Sequence, residues 1–281
     1  YHLQMWVEDG LLVSQQGLEH SAAVLEERIY PTNHRYFGSE WTPGVDGDAR
    51  LVVLNTRFDG AVGYFTSANE YSRLVNPYSN EREMFFMNVE ALAPGTDSYN
   101  AVLAHEFQHM IHWHQDSNED TWVNEGASEL AEQLNGYAWP RGFVQLFEAN
   151  PDLQLNHWPD DPDQLGAHYG ASYLFLRYFA DRFGPEALRA LLQHDANGIA
   201  GFDAVLQGRG VAFDDLFADW LVANLLDDPL LGAGEYGYRE ADVHVRPARR
   251  VETYPHEEAG QVRQYAADYF ELMPDGAGNL R

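Results

Sequence analysis

The feature that most constrains this 281-residue chain is a pair of short stretches, His105-Glu106-Phe107-Gln108-His109 and Asn124-Glu125-Gly126-Ala127-Ser128-Glu129. Two histidines four positions apart on a helix share one face and lie about 6 Å apart along its axis. Neutral imidazoles at that spacing can hold one Zn²⁺ at roughly 2.0–2.1 Å each. Glu106 points about 100° away around the helix, where a general base for a zinc-activated water belongs. A third protein ligand is still required.

The surroundings of the histidines decide between a metal site and a chance pattern. A chain with 12 histidines could carry His-Glu-x-x-His on a solvent-exposed helix. Here the pattern lies among apolar side chains, 101–104 before it and Met110 and Ile111 after it, which predicts a buried helix. Polar groups on a buried helix need partners, and a metal provides one. Asp97 or Ser98 is placed to cap the start of this helix.

The third ligand separates different kinds of zinc site. One kind follows His-Glu-x-x-His with a glycine three residues on and a third histidine after it. In this chain those positions hold His112 and Gln115, so the pattern fails at both. A straight helix carries His112 a further ~4.5 Å along the axis, too far for a tight tetrahedral site. We interpret His112 as a structural histidine or one that supports a metal ligand from behind, and His114 as a surface histidine.

A second helix, predicted from Trp122 to about Leu134, offers the missing ligand. Glu125, Glu129 and Glu132 share one of its faces and repel each other unless a cation or hydrogen-bond donors compensate. Zinc held by Glu125, with Glu129 accepting the N–H of a liganding histidine, resolves this repulsion. A solvated acidic face is the alternative interpretation. Gly126 would let the two helices approach closely.

These two motifs resemble those of the gluzincin zinc metallopeptidases, the group that includes thermolysin. The finer resemblance is to secreted bacterial and archaeal peptidases of the hyicolysin and immune inhibitor A type. It covers most of residues 30–230. The similar stretches are 37–41, 43–48, 63–65, 76–81, 105–114, 122–132 and 168–175.

The resemblance implies His105, His109 and Glu125 as zinc ligands, Glu106 as the general base, and hydrolysis of peptide bonds in a protein or peptide substrate. It also implies an α+β, two-lobed fold with a cleft between the lobes, and an extracellular location. Gluzincins commonly use a tyrosine or histidine to stabilise the oxyanion. Tyr169 and His168 are the candidates for that role, with pure packing as the alternative.

The hydrophobic pattern agrees with an α+β layout. A helix is compatible with residues 2–29. Strands are predicted at 50–58, 61–66 and 83–90, and helices at 163–183, 185–195, 201–208 and 213–226. We predict a catalytic domain over residues 1–235, with a lobe of small sheet and active-site helix at about 1–116 and a mostly helical lobe at 117–235. Residues 236–281 are predicted to be a linker and the start of a C-terminal β segment, strand-like from Val262 to Leu272.

Charge and composition restrict the partners. The net charge of −27 repels nucleic acid and anionic membrane surfaces, and no apolar run is long enough to span a membrane. Without cysteine, the chain has neither disulfides nor thiolate ligands. Asp46 and Asp48, with Gly47 between them, could hold Ca²⁺, although an acidic turn is the simpler interpretation. The chain begins at Tyr1 without a leader, which suggests a processed protein or a fragment.

Three hypotheses follow from the sequence. The leading one is a secreted zinc endopeptidase. The second is a zincin-fold module that has become a binding or adhesion protein, against which the intact Glu106 argues because zinc binding alone does not require a base. The third is a zinc exopeptidase or another zinc hydrolase.

Overall fold

A computed structural model describes residues 1–274 of the chain. The helices are α1 (Gln15–Val24), α2 (Tyr30–Phe37), α3 (Asp97–Gln115), α4 (Thr121–Leu134), α5 (Arg141–Ala149), α6 (Pro162–Phe183), α7 (Pro185–Leu192), α8 (Gly198–Leu206) and α9 (Phe213–Leu226). The strands are β1 (Leu3–Val7), β2 (Leu51–Thr56), β3 (Gly63–Phe65), β4 (Met84–Asn88), β5 (Arg249–Val251) and β6 (Phe270–Leu272). The fold is therefore α+β, with a small sheet and many helices, as predicted.

The main sheet has the strand order β1-β2-β4-β3. β1, β2 and β4 run parallel, whereas β3 pairs antiparallel with β4 and lies at the edge. β1 corrects the helix predicted for residues 2–29, because Leu3, Met5 and Val7 alternate with Gln4 and Trp6 at the period of a strand. The helix of this region begins only at Gln15.

Helix α3 carries the two site histidines through the centre of the molecule. Its N-terminal cap is Thr96, whose hydroxyl accepts a hydrogen bond from the Tyr99 N–H at 3.2 Å. The cap therefore lies one position before Asp97, the first of the two predicted capping residues. α3 packs on the sheet on one side and on α4 on the other. Gly126 of α4 faces α6 rather than α3, because a Cβ there would lie 2.7 Å from the Ser172 carbonyl oxygen. The close approach predicted from this glycine is real, but it joins α4 to α6.

Aromatic side chains form the centre of the helical half. Trp122, Phe175, Phe202 and Trp220 are almost fully buried, and neighbouring rings stand 5.3–5.8 Å apart in stacked or edge-on geometry. The sheet and the helices share one continuous hydrophobic core. Helix α5, which the sequence prediction missed, is short and packs across α6. None of the described helices is long and apolar enough to cross a membrane.

The segment after residue 235 packs on the helical half in its first part and again at Tyr265 and Tyr269. Tyr238, Val243 and Val245 are buried in the main core. Of the extended stretch predicted for 262–272, only β6 is a strand, and it pairs in parallel with β5. The stretch 236–245 is therefore not a free linker. The last seven positions of the predicted C-terminal segment, 275–281, lie outside the described residues.

Candidate metal centre and active site

His105, His109 and Glu125 converge at the contact between α3 and α4. Oε2 of Glu125 lies 3.6 Å from Nε2 of His105 and 3.6 Å from Nε2 of His109. One ligand atom from each of the three residues lies within 4.8 Å of the others. The helical period places the histidines one above the other on α3, and α4 brings the carboxylate across to them.

The arrangement fits a zinc ion. Two ligands at about 2.05 Å from a tetrahedral metal stand ~3.4 Å apart, close to the separations between Glu125 and the two imidazoles. Oε2 of Glu125 is buried and has no hydrogen-bond partner among the described residues, as expected of an oxygen that faces a metal. Burial alone would raise the pKa of Glu125, but the nearby His109 and His105 outweigh it and lower that pKa to about 2.

The far nitrogen of His109 is fixed by residues that the sequence prediction missed. Its Nδ1 lies 2.8 Å from Oδ1 of Asn124 and 3.1 Å from Oγ of Ser128. An amide oxygen at that position accepts the Nδ1–H and leaves Nε2 unprotonated toward the metal. The only sequence signal for this contact is that Asn124 immediately precedes Glu125, one helical turn before Ser128.

The far nitrogen of His105 faces two acidic residues of α4. Nδ1 lies 3.3 Å from Oε1 of Glu132 and 3.8 Å from Oε1 of Glu129. The sequence predicted this contact for Glu129, but Glu132 is the nearer partner. Burial, and then the charge of Glu132, raises the pKa of Glu129. These three residues also form a second group whose ligand atoms lie within 4.8 Å of one another.

Glu106 lies between the metal group and the edge strand β3. It is only 5 % exposed, and a Cβ on Gly63 would lie 2.9 Å from its Oε1. Its carboxylate also contacts the backbone of Phe65. Burial raises the pKa of Glu106, and the charges of His105 and His109 oppose that rise only in part. A glutamate in this environment binds a proton more readily than an exposed one, as a general base requires.

Tyr169 and His168, neighbours on α6, point into different cavities. Tyr169 lines a cavity together with His105 and Glu106, and its hydroxyl lies near Glu125. Burial, and then the charge of Glu125, raises the pKa of Tyr169, so the hydroxyl keeps its proton and can donate it in a hydrogen bond. His168 lines a separate cavity beside His157, whose ring centroid is 6.0 Å away. Adjacent residues on a helix diverge by about 100°, which corrects the expectation that His168 reaches the metal.

Two aromatic rings and a glycine hold Tyr169 in place. Its ring stacks on Phe143 of α5 with centroids 5.1 Å apart and meets Trp158 edge-on at 4.9 Å. A Cβ on the next residue, Gly170, would lie 2.2 Å from the Phe143 carbonyl oxygen. Helix α5, which was not predicted from the sequence, therefore sets the position of Tyr169.

Two cavities flank the metal group along β3. The larger, about 630 Å³, is lined on the β3 side by residues 60–63 and also by His105 and Glu106. The smaller, about 360 Å³, is lined by residues 65–67 together with His109 and Glu125. The start and the end of one edge strand thus border the space on both sides of the metal ligands.

The remaining sequence candidates lie apart from this group. His112 is buried and its Nδ1 lies 3.2 Å from Oδ1 of Asn124, so it is a structural residue, while His114 is exposed. Burial lowers the pKa of His112 to about 4. Asp46 and Asp48, predicted as a calcium site, are each engaged by an arginine, Arg82 at 2.6 Å and Arg50 at 2.5 Å. The described residues do not bring these two carboxylates into a metal-binding group.

No family model and no curated protein matches this chain. Among solved structures, a mutant of an M1 zinc metallopeptidase from Deinococcus radiodurans is 14% identical, with a TM-score of 0.47 over 74% of this chain and 44% of that one. A two-domain M1 zinc metallopeptidase mutant bound to L-arginine is 14% identical, with a TM-score of 0.42 over 72% and 42%. A further M1 zinc metallopeptidase structure from Deinococcus radiodurans is 16% identical, with a TM-score of 0.41 over 75% and 42%. The chain spans less than half the length of these structures.

Proposed function

We propose that this chain is a zinc-dependent endopeptidase that hydrolyses peptide bonds in protein or peptide substrates. One observation carries the proposal: the Nε2 atoms of His105 and His109 and the carboxylate of Glu125 converge, while Glu106 lies beside them at the edge of the sheet. Three protein ligands with an adjacent buried glutamate are typical of a hydrolytic rather than a structural zinc site, since a structural site is closed by four ligands.

Each residue has a distinct task in the proposed reaction. A zinc ion held by His105, His109 and Glu125 would lower the pKa of water and polarise the scissile carbonyl. Glu106 takes a proton from the attacking water and delivers it to the leaving amine, for which its raised pKa is suitable. Tyr169 donates a hydrogen bond to the oxyanion as it develops. Asn124 and Glu132 keep the two imidazoles in the orientation that presents Nε2 to the metal.

The edge strand supports binding of an extended peptide. β3 is paired with β4 on one side only, so a substrate strand can form backbone hydrogen bonds along its other side, next to Glu106. Cavities at both ends of β3 leave room for substrate residues before and after the scissile bond. This favours cleavage within a chain over removal of terminal residues. The net charge of −27 and the resemblance to secreted peptidases support an extracellular location.

The deciding experiment combines metal content with turnover. We expect near-stoichiometric zinc in the purified protein and chelator-sensitive cleavage of an unfolded protein substrate. Glu106→Gln should keep the zinc but lose turnover by roughly 10²–10⁴-fold, the range for a positioned acid or base. Glu90→Gln, the same change at an exposed position, is the matched control. His109→Ala should lose the zinc.

The outcomes separate the alternatives. Internal fragments in mass spectra indicate an endopeptidase, whereas stepwise loss of terminal residues indicates an exopeptidase. A protein that binds zinc and its ligands but cleaves no peptide would be a binding module. Full cleavage by Glu106→Gln would contradict the proposed mechanism, and full zinc occupancy in His109→Ala would contradict the ligand set.

A further inference from the structure

The smaller of the two cavities beside the metal group contains two acidic side chains with unpartnered oxygens. Asp116 and Glu119 both line it, together with His109 and Glu125. Asp116 is only 8% exposed, and its Oδ2 is buried without a hydrogen-bond partner among the described residues. The same is true of Oε2 of Glu119. Because a buried carboxylate oxygen without a donor is costly, two of them in one cavity indicate a binding site for a donor that carries positive charge.

The loop that carries both acids is held in place by the start of α8. Oε1 of Glu119 accepts hydrogen bonds from the N–H groups of Asp120 at 2.6 Å and Gly198 at 2.7 Å. The side-chain amide of Asn197 also donates to the carbonyl oxygen of Asn118. These contacts engage one oxygen of Glu119 and leave Oε2 unpartnered. The loop is therefore ordered before a substrate arrives, which reduces the entropy lost on binding.

The electrostatics of this cavity favour a cation. Asp116 directly follows α3, whose C-terminal carbonyl groups carry partial negative charge. Burial raises the pKa of Asp116, and it raises that of Glu119 to about 7. None of the described residues that line the cavity is an arginine, and the chain contains no lysine. A positively charged group brought by a substrate would therefore stabilise both carboxylates.

An aromatic side chain forms another wall of the cavity. Trp113 is partly buried, and its ring meets Tyr71 edge-on with centroids 5.7 Å apart. An indole ring packs well on the methylene stem of a lysine or arginine and attracts its charged end. The volume of about 360 Å³ is sufficient for one such side chain. In the larger cavity, by contrast, the acids Glu129 and Glu132 face His105.

We propose that Asp116 and Glu119 bind the side chain of a substrate lysine or arginine close to the scissile bond, so that this chain cleaves beside basic residues. The inference rests on the proposed peptidase function and adds a substrate preference to it. The charged end of the substrate side chain donates hydrogen bonds to the two carboxylates, and its stem packs on Trp113. A metal ion is the less suitable occupant, because the described residues do not bring Asp116 and Glu119 into a metal-binding group.

The test uses the zinc-loaded full chain and peptides blocked at both ends, in which one lysine, or its uncharged isostere norleucine, is moved stepwise through a neutral sequence. Physiological salt screens the general attraction of an acidic protein for basic peptides. We expect cleavage at a fixed position relative to the lysine, with a kcat/KM roughly 10–100-fold above that for norleucine, the range of a hydrogen bond to a charged group. Glu119→Gln and Asp116→Asn should each lower this ratio severalfold. Asp195→Asn should keep it, because that exposed acid acts on Asp116 but does not line the cavity.

A second measurement does not depend on turnover. By calorimetry, zinc-loaded Glu106→Gln should bind the lysine peptide more tightly than the norleucine peptide, and adding Glu119→Gln should remove the difference. If Glu119→Gln fails to fold, Asp116→Asn provides the same comparison. A lysine preference in binding without cleavage of any substrate would contradict the proposed peptidase function and leave the cavity a site for basic side chains.

Four results would overturn the inference. They are equal cleavage and binding of the lysine and norleucine peptides, an unchanged ratio in both Glu119→Gln and Asp116→Asn, loss of the ratio in Asp195→Asn instead, and cleavage only of peptides with a free amino terminus. The last would place the α-amine, and not a side chain, in the cavity. All four leave zinc-dependent hydrolysis of peptide bonds intact wherever peptides are still cleaved.

Discussion

At the scale of single residues, the two histidines of the metal group differ in what holds their far nitrogen. His109 has the neutral amide of Asn124, whereas His105 has two carboxylates at unequal distances. A carboxylate partner makes an imidazole a stronger donor to a metal and fixes its orientation. If the proposed site holds zinc, its affinity therefore depends on residues that do not touch the metal.

Exchange of Glu132 tests this dependence. Glu132→Gln should weaken zinc binding by about 10–100-fold, the usual effect of removing such a partner. Glu129→Gln should have the smaller effect, because its oxygen lies 3.8 Å from Nδ1 of His105 against 3.3 Å for Glu132. Competition with a chromophoric chelator measures both affinities. A larger effect of Glu129→Gln than of Glu132→Gln would show that Glu129 is the main partner of His105, as the sequence predicted.

Tyr169 is the residue on which the oxyanion assignment depends. Tyr169→Phe should lower kcat and kcat/KM together by about 10–10³-fold, because the hydrogen bond forms mainly in the transition state. Zinc content should not change. Tyr173→Phe is the matched control on the same helix, since that hydroxyl is engaged elsewhere and donates to Gln133 at 2.7 Å. A loss confined to KM would indicate that Tyr169 only binds substrate.

The sequence predicted for a physical reason which side chains converge, although their role as metal ligands stays a prediction. The positions of His105, Glu106 and His109 relative to each other follow from the helical period alone. Glu125 needed only one further assumption, that the next helix packs against the first. Asn124 and Glu132 could not be assigned, because the choice between neighbouring polar residues depends on side-chain distances of less than 1 Å.

At the scale of elements, the site depends on how closely α4 packs on α6. Gly126 is the contact point, where a methyl group would lie 2.7 Å from the Ser172 carbonyl oxygen and 3.1 Å from Leu176. α4 carries Glu125 and α6 carries Tyr169, so this contact sets the distance between the proposed metal ligand and the proposed oxyanion donor. The backbone of Ser172 cannot move aside without shifting α6.

Gly126→Ala should therefore lower both stability and activity. We expect a loss of about 1–3 kcal/mol in the free energy of unfolding, the typical cost of overpacking. Gly142→Ala is the matched control within α5, where nothing lies within 4 Å of the added methyl group. That change should be neutral or stabilise by up to ~1 kcal/mol. Urea unfolding of the two zinc-loaded variants makes the comparison, and equal stability would contradict this account of the α4–α6 contact.

Elements with a strong period were predictable, and those defined by a partner were not. α6 and α9 were located closely because their apolar residues recur over several turns. β1 was missed because five residues carry little signal, and its strand state depends on pairing with β2. The same holds for α5, whose nine residues become a helix against α6.

At the scale of the whole molecule, the question is where the folded unit ends. A linker was predicted from residue 236, on the basis of composition. In the structure, Asp227, just after α9, accepts hydrogen bonds from the N–H groups of Tyr238 and Val243 at 3.0 and 2.9 Å. Tyr238, Val243 and Val245 then enter the core. Composition could not reveal this, because three buried side chains among many polar ones leave no periodic pattern.

Shortened chains test this boundary. Burial of a large apolar side chain contributes about 1.5–3 kcal/mol, so a chain ending at residue 235 should lose roughly 5 kcal/mol or more. That is a large share of the 5–15 kcal/mol typical of a folded domain. A chain ending at 248 keeps Tyr238, Val243 and Val245 but loses the partly buried Tyr265 and Tyr269, which also pack on the core, so its stability should lie between those of the other two. Thermal unfolding, monitored by circular dichroism with zinc present throughout, gives the melting temperatures of the two shortened chains and the full chain. If the chain ending at 235 has the same melting temperature as the full chain, residues 236–245 are dispensable. The domain then ends at residue 235, as the sequence predicted.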